Sequence, residues 1–395
     1  MTEPNTKADD GSVRLTLALA AQGKGALAAI ETIAEKPADC AVTLVKLDAS
    51  GAKPKAVETR AVDTQLAETG IPALAGFGGR DPLVSAWNAK KDSDVLALAG
   101  GKSKVSIAIG DAKGQIVQTA DDGTFVAALC ETRRKGEAVQ TLAFAKISLK
   151  APKFKSVEVK PLNLGGYRVI TAIAVWKNAL YVAVSDTIAG CDVFRVDLNS
   201  RKLVAEPVFE RGGFRFSLNA AVPCFMATND ALLFGTAALA TSAPRTGRWG
   251  CELVAIDGDG AWSVVFGQQR FTPVGLKQPG SGQGAGFGSN DNSALKALAV
   301  GPGKAGRVFA VLQDYRGDTE NDREGVRPDM FAYDGKVRVV ASVAGKALKE
   351  WEEIAVDLPE ASGAVTSLCA TGSVLIIGHE QLGSDGDPFT VVALT

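Results

Sequence analysis

The chain repeats itself, and a repeated unit limits the fold to arrangements in which copies of one small structure cover each other's apolar faces. Each full copy opens on a glycine–aromatic cluster, runs through two short apolar segments joined by a tight turn, and ends on a third after a longer gap. Gly165, Gly166, Tyr167 and Arg168 precede runs at 170–176, 180–184 and 191–197. Gly212, Gly213, Phe214 and Arg215 precede 220–227, 231–236 and 251–257. Gly286, Phe287 and Gly288 precede 295–300, 308–312 and 330–334, and a last copy gives 365–370, 374–379 and 389–394. In a looser copy Gly76, Phe77, Gly78, Gly79 and Arg80 stand before 83–87 and 95–99. Fainter second and third runs lie at 27–33 with 40–47 and at 125–130 with 142–149. Cys40, Cys191 and Cys251 share one repeat position, the start of the third run.

The runs are four to eight residues long, rich in β-branched and aromatic side chains and bounded by Gly, Asp, Asn and Pro, which predicts strands. Asp257 to Gly260, Asp334 with Gly335, and Asp121 to Gly123 are hairpin turn signals. Leu27, Ile30 and Ile33 also fit a helical face, and 346–354, with Leu348 and Trp351 three apart, fits a short helix. Short strands recurring at roughly 50 to 70 residues suit a radial all-β array. In this order of parts, residues 12–395 resemble β-propeller repeat proteins in general, without a WD dipeptide, kelch double glycine or Asp-box that would name a functional family. The resemblance implies one domain, a single β-propeller of seven four-stranded blades, six being the alternative. The last copy stops after its third strand, so the run 13–20 is expected to close the ring by supplying the outer strand, sparing the sheet an unpaired edge. Residues 1–11 read as a loose polar tail.

The 43 basic residues nearly balance 44 acidic ones, so no overall charge favours nucleic acid or an anionic membrane surface. No stretch approaches the roughly 20 apolar residues of a membrane span. The first ten residues hold acids and no apolar core, which reads as no secretory leader and a cytoplasmic location. Six dispersed cysteines, none in a CxxC spacing, read as reduced and buried. No cofactor or metal is expected: one histidine excludes a multi-His centre in a single chain, and no close Cys pair suggests zinc.

In a propeller, connections from second to third strand and from blade to blade emerge on one face. The long segments 61–81, 237–250, 268–292, 313–328, 345–363 and 380–387 all belong to that set, so that face is expected to bind. Arg80, Arg168 and Arg215 follow the glycine–aromatic clusters, and Glu131, Asp186, Asp314 and Glu380 follow second strands. The arginines, with Asp314, are ligand-binding candidates, since guanidinium forks suit carboxylate or phosphate groups. The competing reading pairs the two columns with each other. Asn219 and Asn292 are expected to cap turns.

The loop 314–324 is the most charged stretch. Asp314, Asp318, Glu320 and Asp322 alternate as calcium ligands would, but Arg316 interrupts them and no glycine holds the sixth position. Arg316, Arg323 and Arg327 are instead expected to contact a protein partner. His379 beside Glu380 could serve as general acid or base, with no nucleophile placed by sequence. The glycines 280–288 precede a strand and not a helix, so they read as a flexible linker and not a phosphate loop. The leading expectation is a non-catalytic interaction or scaffold module, a subunit of a larger assembly being one form of it. The alternative is a hydrolase or lyase acting on a small anionic or sugar-like substrate at the channel mouth.

Overall fold

The computed structural model describes residues 13–394 apart from 23–24, 34–40, 49–54, 62–73, 79–80, 89–92, 99–105, 109–114, 135–136, 147–153, 161–167, 187, 216–217, 239–249, 269, 272–276, 279–283, 290–291, 302–305, 315–335, 347, 361 and 383–385; for parts of the first sheets, including all of 51–114, it describes the backbone alone.

Consecutive antiparallel meanders run along the chain. They are β1 (Val13–Gln22) to β4 (Lys55–Ala61) through β2 (Gly25–Ile33) and β3 (Ala41–Asp48); then β5 (Leu74–Gly78), β6 (Asp81–Asn88), β7 (Ser93–Leu98) and β8 (Ser106–Ala108). Next come β9 (Gln115–Asp121), β10 (Phe125–Arg134), β11 (Glu137–Lys146) and β12 (Lys155–Val157), and β13 (Ile170–Trp176), β14 (Ala179–Val184), β15 (Asp192–Asp197) and β16 (Ala205–Phe209). They continue with β17 (Ala221–Ala227), β18 (Leu232–Ala237), β19 (Leu253–Ile256) and β20 (Trp262–Phe266). A small hairpin of β21 (Arg270–Phe271) and β22 (Lys277–Gln278) follows. The last two are β23 (Ala294–Val300), β24 (Val308–Gln313), β25 (Val337–Ser342) and β26 (Trp351–Ile354), then β27 (Ser362–Thr371), β28 (Val374–Leu382) and β29 (Phe389–Ala393).

Strand periodicity explains how the meanders stack. In β14, Leu180, Val182 and Val184 pack with Phe125, Leu129 and Phe144 of the preceding meander, while Ala179, Tyr181 and Ala183 pack with Val222, Phe234 and Val254 of the following one. Alternate side chains point to opposite faces, so a sheet apolar at every position must be covered on both sides. The same division recurs in β24, where Val308 and Leu312 face one neighbour and Phe309 and Val311 the other. Ala26, Ala28, Ile30 and Leu47 of the first meander share a core with Cys369, Val374 and Ile376 of the last. First strands touch in sequence from β1 to β5, β9, β13, β17, β23 and β27, and β27 touches β1. This all-β, propeller-like arrangement is the one the resemblance implies.

Several local readings are corrected. The run 13–20 does not extend the outer edge of the last sheet: β1 begins its own meander against β2 and meets β28 only through Val13↔Leu382, Arg14↔Gln381 and Leu15↔Glu380. Its apolar character comes from lying at the inner edge, between two neighbours. The cluster around Gly76 belongs to a different frame, because Leu74–Gly78 is itself the first strand and Asp81–Asn88 the second. Residues 27–33 are strand, not helix. The segment 346–354 is a turn followed by β26, with Trp351 Nε1 donating to the Leu348 carbonyl at 2.9 Å, a local contact that imitates helical spacing. The third strand after Val308–Gln313 is Val337–Ser342; the run 330–334 lies outside the described residues.

Every first strand carries a β-bulge near its start. The extra residue is Leu17, Gly76, Val117, Thr171, Lys296 or Thr366, and in β17 it falls at Val222 or Pro223. A bulge bends the strand and raises its twist, a device for turning inner strands where sheets converge.

Candidate functional site

Second strands end, and meanders connect, on one face. There Arg168, just before β13, lies 2.5 Å from Asp186, just after β14, through Nη2 and Oδ2. Asp186 is held by accepting the backbone N–H groups of Ile188 (2.8 Å) and Ala189 (2.7 Å) on Oδ1, and its own N–H donates to Ala220 of the next meander at 3.0 Å. Nε and Nη1 of Arg168 are buried and have no hydrogen-bond partner among the described residues. Asp192 sits nearby: burial raises its pKa, the Arg211 N–H donated to Oδ1 at 2.8 Å opposes this, Glu210 and Asp186 raise it further, and Arg168 lowers it.

Arg168 lines an open cavity of about 620 Å³ between the third and fourth meanders, its wall mixed: Val139, Leu142, Val157, Val159, Val169, Ile170 and Val184 alternate with Gln140, Thr141, Ser156 and Glu158. Gln140 closes one side by bridging the meanders, accepting from Ile170 N–H at 2.6 Å and donating to its carbonyl at 3.2 Å.

Arg215 is enclosed. Its Nη1 donates to Asn219 Oδ1 and to the Gly250 carbonyl, each at 3.1 Å, and lies 3.4 Å from Glu252 Oε1, with the arginine side chain 4% exposed and the glutamate 0%. Asn219 Nδ2 donates to Glu252 Oε2 (2.7 Å) and to the Gly212 carbonyl (3.0 Å), and Gln268 N–H donates to Glu252 Oε1 (2.7 Å). Glu252 was not among the sequence candidates. The repeat held a signal for it: Cys191–Asp192 and Cys251–Glu252 occupy one position, so a carboxylate follows the aligned cysteine in both copies.

The glycine–aromatic clusters form a recurring latch. Gly212 and Gly286 donate their N–H groups to the Cys191 and Cys251 carbonyls, both at 2.7 Å; Cys191 and Cys251 N–H donate to the Asn219 and Asn292 carbonyls at 2.8 and 2.9 Å. Asn292 Nδ2 donates to Gly286 O at 2.7 Å, so both asparagines cap the turn. Phe214 lies 6.0 Å from Trp262 and Phe287 5.3 Å from Trp351, each tryptophan at the start of the next meander's fourth strand. The segment around Gly286 is therefore a built contact and not a loose linker.

The remaining candidates are placed apart. Asp314 is buried and accepts from Ser293 Oγ at 2.8 Å. Glu380 accepts from Ala364 N–H at 3.3 Å. His379 is fully buried; Nδ1 lies 2.9 Å from the Glu380 carbonyl and Nε2 3.1 Å from Thr390 Oγ1, so the tautomer that satisfies both donates from Nδ1 and accepts at Nε2. Burial lowers its pKa against a smaller opposing effect of that backbone contact. Arg80, Arg316, Arg323 and Arg327, with Asp318, Glu320 and Asp322, lie outside the described residues. Among the described residues no cluster of three or more His, Cys, Asp and Glu is arranged to hold a metal, and no helix is long and apolar enough to cross a membrane.

No family model and no curated protein matches the sequence. Among solved structures, acylaminoacyl peptidase of Pyrococcus horikoshii is similar at 12% identity and TM-score 0.50 over 97% of this chain, which spans 51% of that protein, about half its length. The β-propeller domain of the Trilobed protease from Pyrococcus furiosus (13% identity, 97% of this chain and 98% of that one, TM-score 0.48) is similar too. So is Sqt1 of Saccharomyces cerevisiae (8%, 98% and 86%, TM-score 0.46). At such identities the likeness is one of fold, and the chain has a β-propeller fold, as the stacked meanders show independently.

Proposed function

We propose that the meanders close into a seven-bladed ring spanning residues 12–395, and that this ring is a non-catalytic binding module that holds a protein partner on its loop-bearing face as a subunit of a larger assembly. One observation carries the reading. The exposed large hydrophobic side chains among the described residues are Val117, Val139, Ile188, Val204, Val300 and Leu382. Ile188 and Leu382, 56% and 58% exposed, are the most open; Ile188 lies in a connection from second to third strand, Leu382 ends a second strand, and Val139 is near the start of a third. Apolar tips rising from a frame locked beneath them by buried ion pairs and latches suit recognition of another protein surface. Arg316, Arg323 and Arg327 extend that face in the proposal. A reducing, cytoplasmic setting agrees with Cys224, Cys251 and Cys369, which form no disulfide among the described residues. The hydrolase or lyase alternative loses His379 as its acid or base, since the ring is enclosed and satisfied.

The test is affinity purification from the source cell with the chain as bait, in wild-type form and as Ile188→Glu with Leu382→Glu. Both substitutions are at exposed sites and should shift stability by no more than about 0.5 kcal/mol. Loss of a stoichiometric partner from the variant supports the proposal, as does its loss from a triple alanine variant at Arg316, Arg323 and Arg327. A wild-type chain that runs alone, or identical recovery with all variants, removes it.

A further inference from the structure

Lys296 is the extra residue of the β23 bulge, and it interrupts the alternation of its strand. Leu295 and Leu298 pack in the core shared with the preceding meander, Ala297 and Ala299 in the core shared with the following one. A bulge re-aims a side chain, and this one stands on the ring of first strands that touch in sequence around a common axis. Groups on both flanking meanders act on the amine: Cys224 of β17 on one side and Glu380, near the end of β28, on the other. A side chain rooted on β23 meets both only across the inner ends of the sheets. Space is open there, because Val117, the bulge residue of β9, is 45% exposed although its strand is an inner one, and Lys296 and Cys224 are only partly buried. Among the bulge residues Lys296 alone carries a charge. We propose that Lys296 is a carbonyl-accepting amine, and that a small uncharged aldehyde or ketone entering along the axis condenses with its Nζ to a reversible imine. This site goes beyond the partner-binding reading and does not depend on it.

In the condensation the Nζ lone pair bonds to the carbonyl carbon, and the two protons lost by the neutral amine leave with the carbonyl oxygen as water, so a C=N bond replaces C=O. Nothing is oxidised or reduced, and water reverses the step. Lysines in desolvated surroundings are the ones that form such Schiff bases. Burial pushes the Lys296 amine down to about 8, against smaller opposing effects of Cys224 and Glu380. At pH 7 about one chain in ten then holds the unprotonated amine, against about one in 2,500 for an ordinary lysine. Cys224 does not compete as nucleophile: burial pushes its thiol up to about 12, and Sγ donates to the Leu295 carbonyl at 3.4 Å. An anionic ligand is disfavoured, because Glu380 already offsets the ammonium form and no other bulge residue is basic. A neutral carbonyl carbon needs only the nitrogen lone pair.

The experiment treats the full wild-type chain with isotopically labelled formaldehyde and cyanoborohydride, which fixes each imine as a methylated amine. Peptide mass spectrometry follows labelling of Lys296 against the exposed Lys202 and Lys349. At pH 7 Lys296 should lead by about tenfold, less than the ratio of unprotonated fractions because a less basic amine is also a weaker nucleophile. At pH 10.5, where exposed amines are largely unprotonated as well, the lead should fall below about twofold. Propanal and glyoxylate, trapped in the same way and each scaled to its own rate at Lys202, separate the neutral class from the anionic one: propanal should favour Lys296 more strongly. No lead for Lys296 at pH 7, a lead that persists unchanged at pH 10.5, or a stronger preference of glyoxylate for Lys296 would each overturn the proposal. Because the readout is chemical labelling of the isolated chain, none of these outcomes bears on the partner-binding face, and loss of that face leaves the lysine standing.

Discussion

Arg215 has almost no contact with water and is tolerated because Glu252, Asn219 and the Gly250 carbonyl surround it. Taking either charge away from such a pair costs more than the pair itself contributes, because the survivor is left buried and uncompensated. His379 obeys the same logic in neutral form. Its folded pKa lies below the ordinary 6.5 because burial penalises the imidazolium. Between that lowered value and about 6.5 the unfolded chain binds a proton that the folded chain refuses, so stability falls as pH drops through this window and is full above it. The chain has one histidine, so its imidazole signal is unambiguous. An NMR titration should place its midpoint below 6.5, and the denaturation midpoint should fall more between pH 7 and pH 5 in wild type than in His379→Gln. A midpoint at or above 6.5 contradicts the buried, neutral assignment.

Among elements, the latch is the part most sensitive to single atoms. Gly286 has φ +62°, and a Cβ there would stand 2.8 Å from Gly250 Cα, whereas Gly284 has φ +75° with nothing within 4 Å. Gly284→Ala therefore reports backbone strain alone, about 1 to 3 kcal/mol at its φ +75° and ψ −175°, while Gly286→Ala adds a backbone collision that no rotamer relieves. Urea denaturation should rank Gly286→Ala clearly below Gly284→Ala, which in turn falls below wild type. Equal losses would mean that the two chain segments part easily and that the latch does not hold the meanders together.

At the scale of the molecule, the first and last meanders meet through few polar contacts. Thr16, fully buried, donates through Oγ1 to the Pro388 carbonyl at 2.7 Å; Thr371 Oγ1 donates to Gly25 O at 2.9 Å, and Thr366 Oγ1 donates to Thr16 O. Thr16→Val preserves shape and removes one hydrogen bond, while the Pro388 carbonyl keeps the one it accepts from the His379 N–H at 2.9 Å, a loss of about 0.5 to 1.5 kcal/mol. If the ring is closed at this seam, amide hydrogen exchange should accelerate in both Val13–Gln22 and Phe389–Ala393. Faster exchange confined to the first strand would mean that closure contributes little.

Strand identity and turn positions in the clear copies were determined by the sequence alone, because runs such as 170–176 and 180–184 and turns such as Asp257 to Gly260 encode local backbone preference within a few residues. The reach from Arg168 to Asp186 was also legible, since both sit at fixed repeat positions. Tertiary structure decided the rest. Whether Val13–Gln22 lies at an inner or an outer edge depends on which strand comes to lie beside it, and an apolar run is compatible with either. The frame of the Gly76 cluster slipped by one strand because a glycine and an aromatic can stand inside a bulged strand as well as before one. Glu252 becomes the partner of Arg215, and His379 becomes enclosed, only when neighbouring sheets stack and exclude water, which no local pattern specifies.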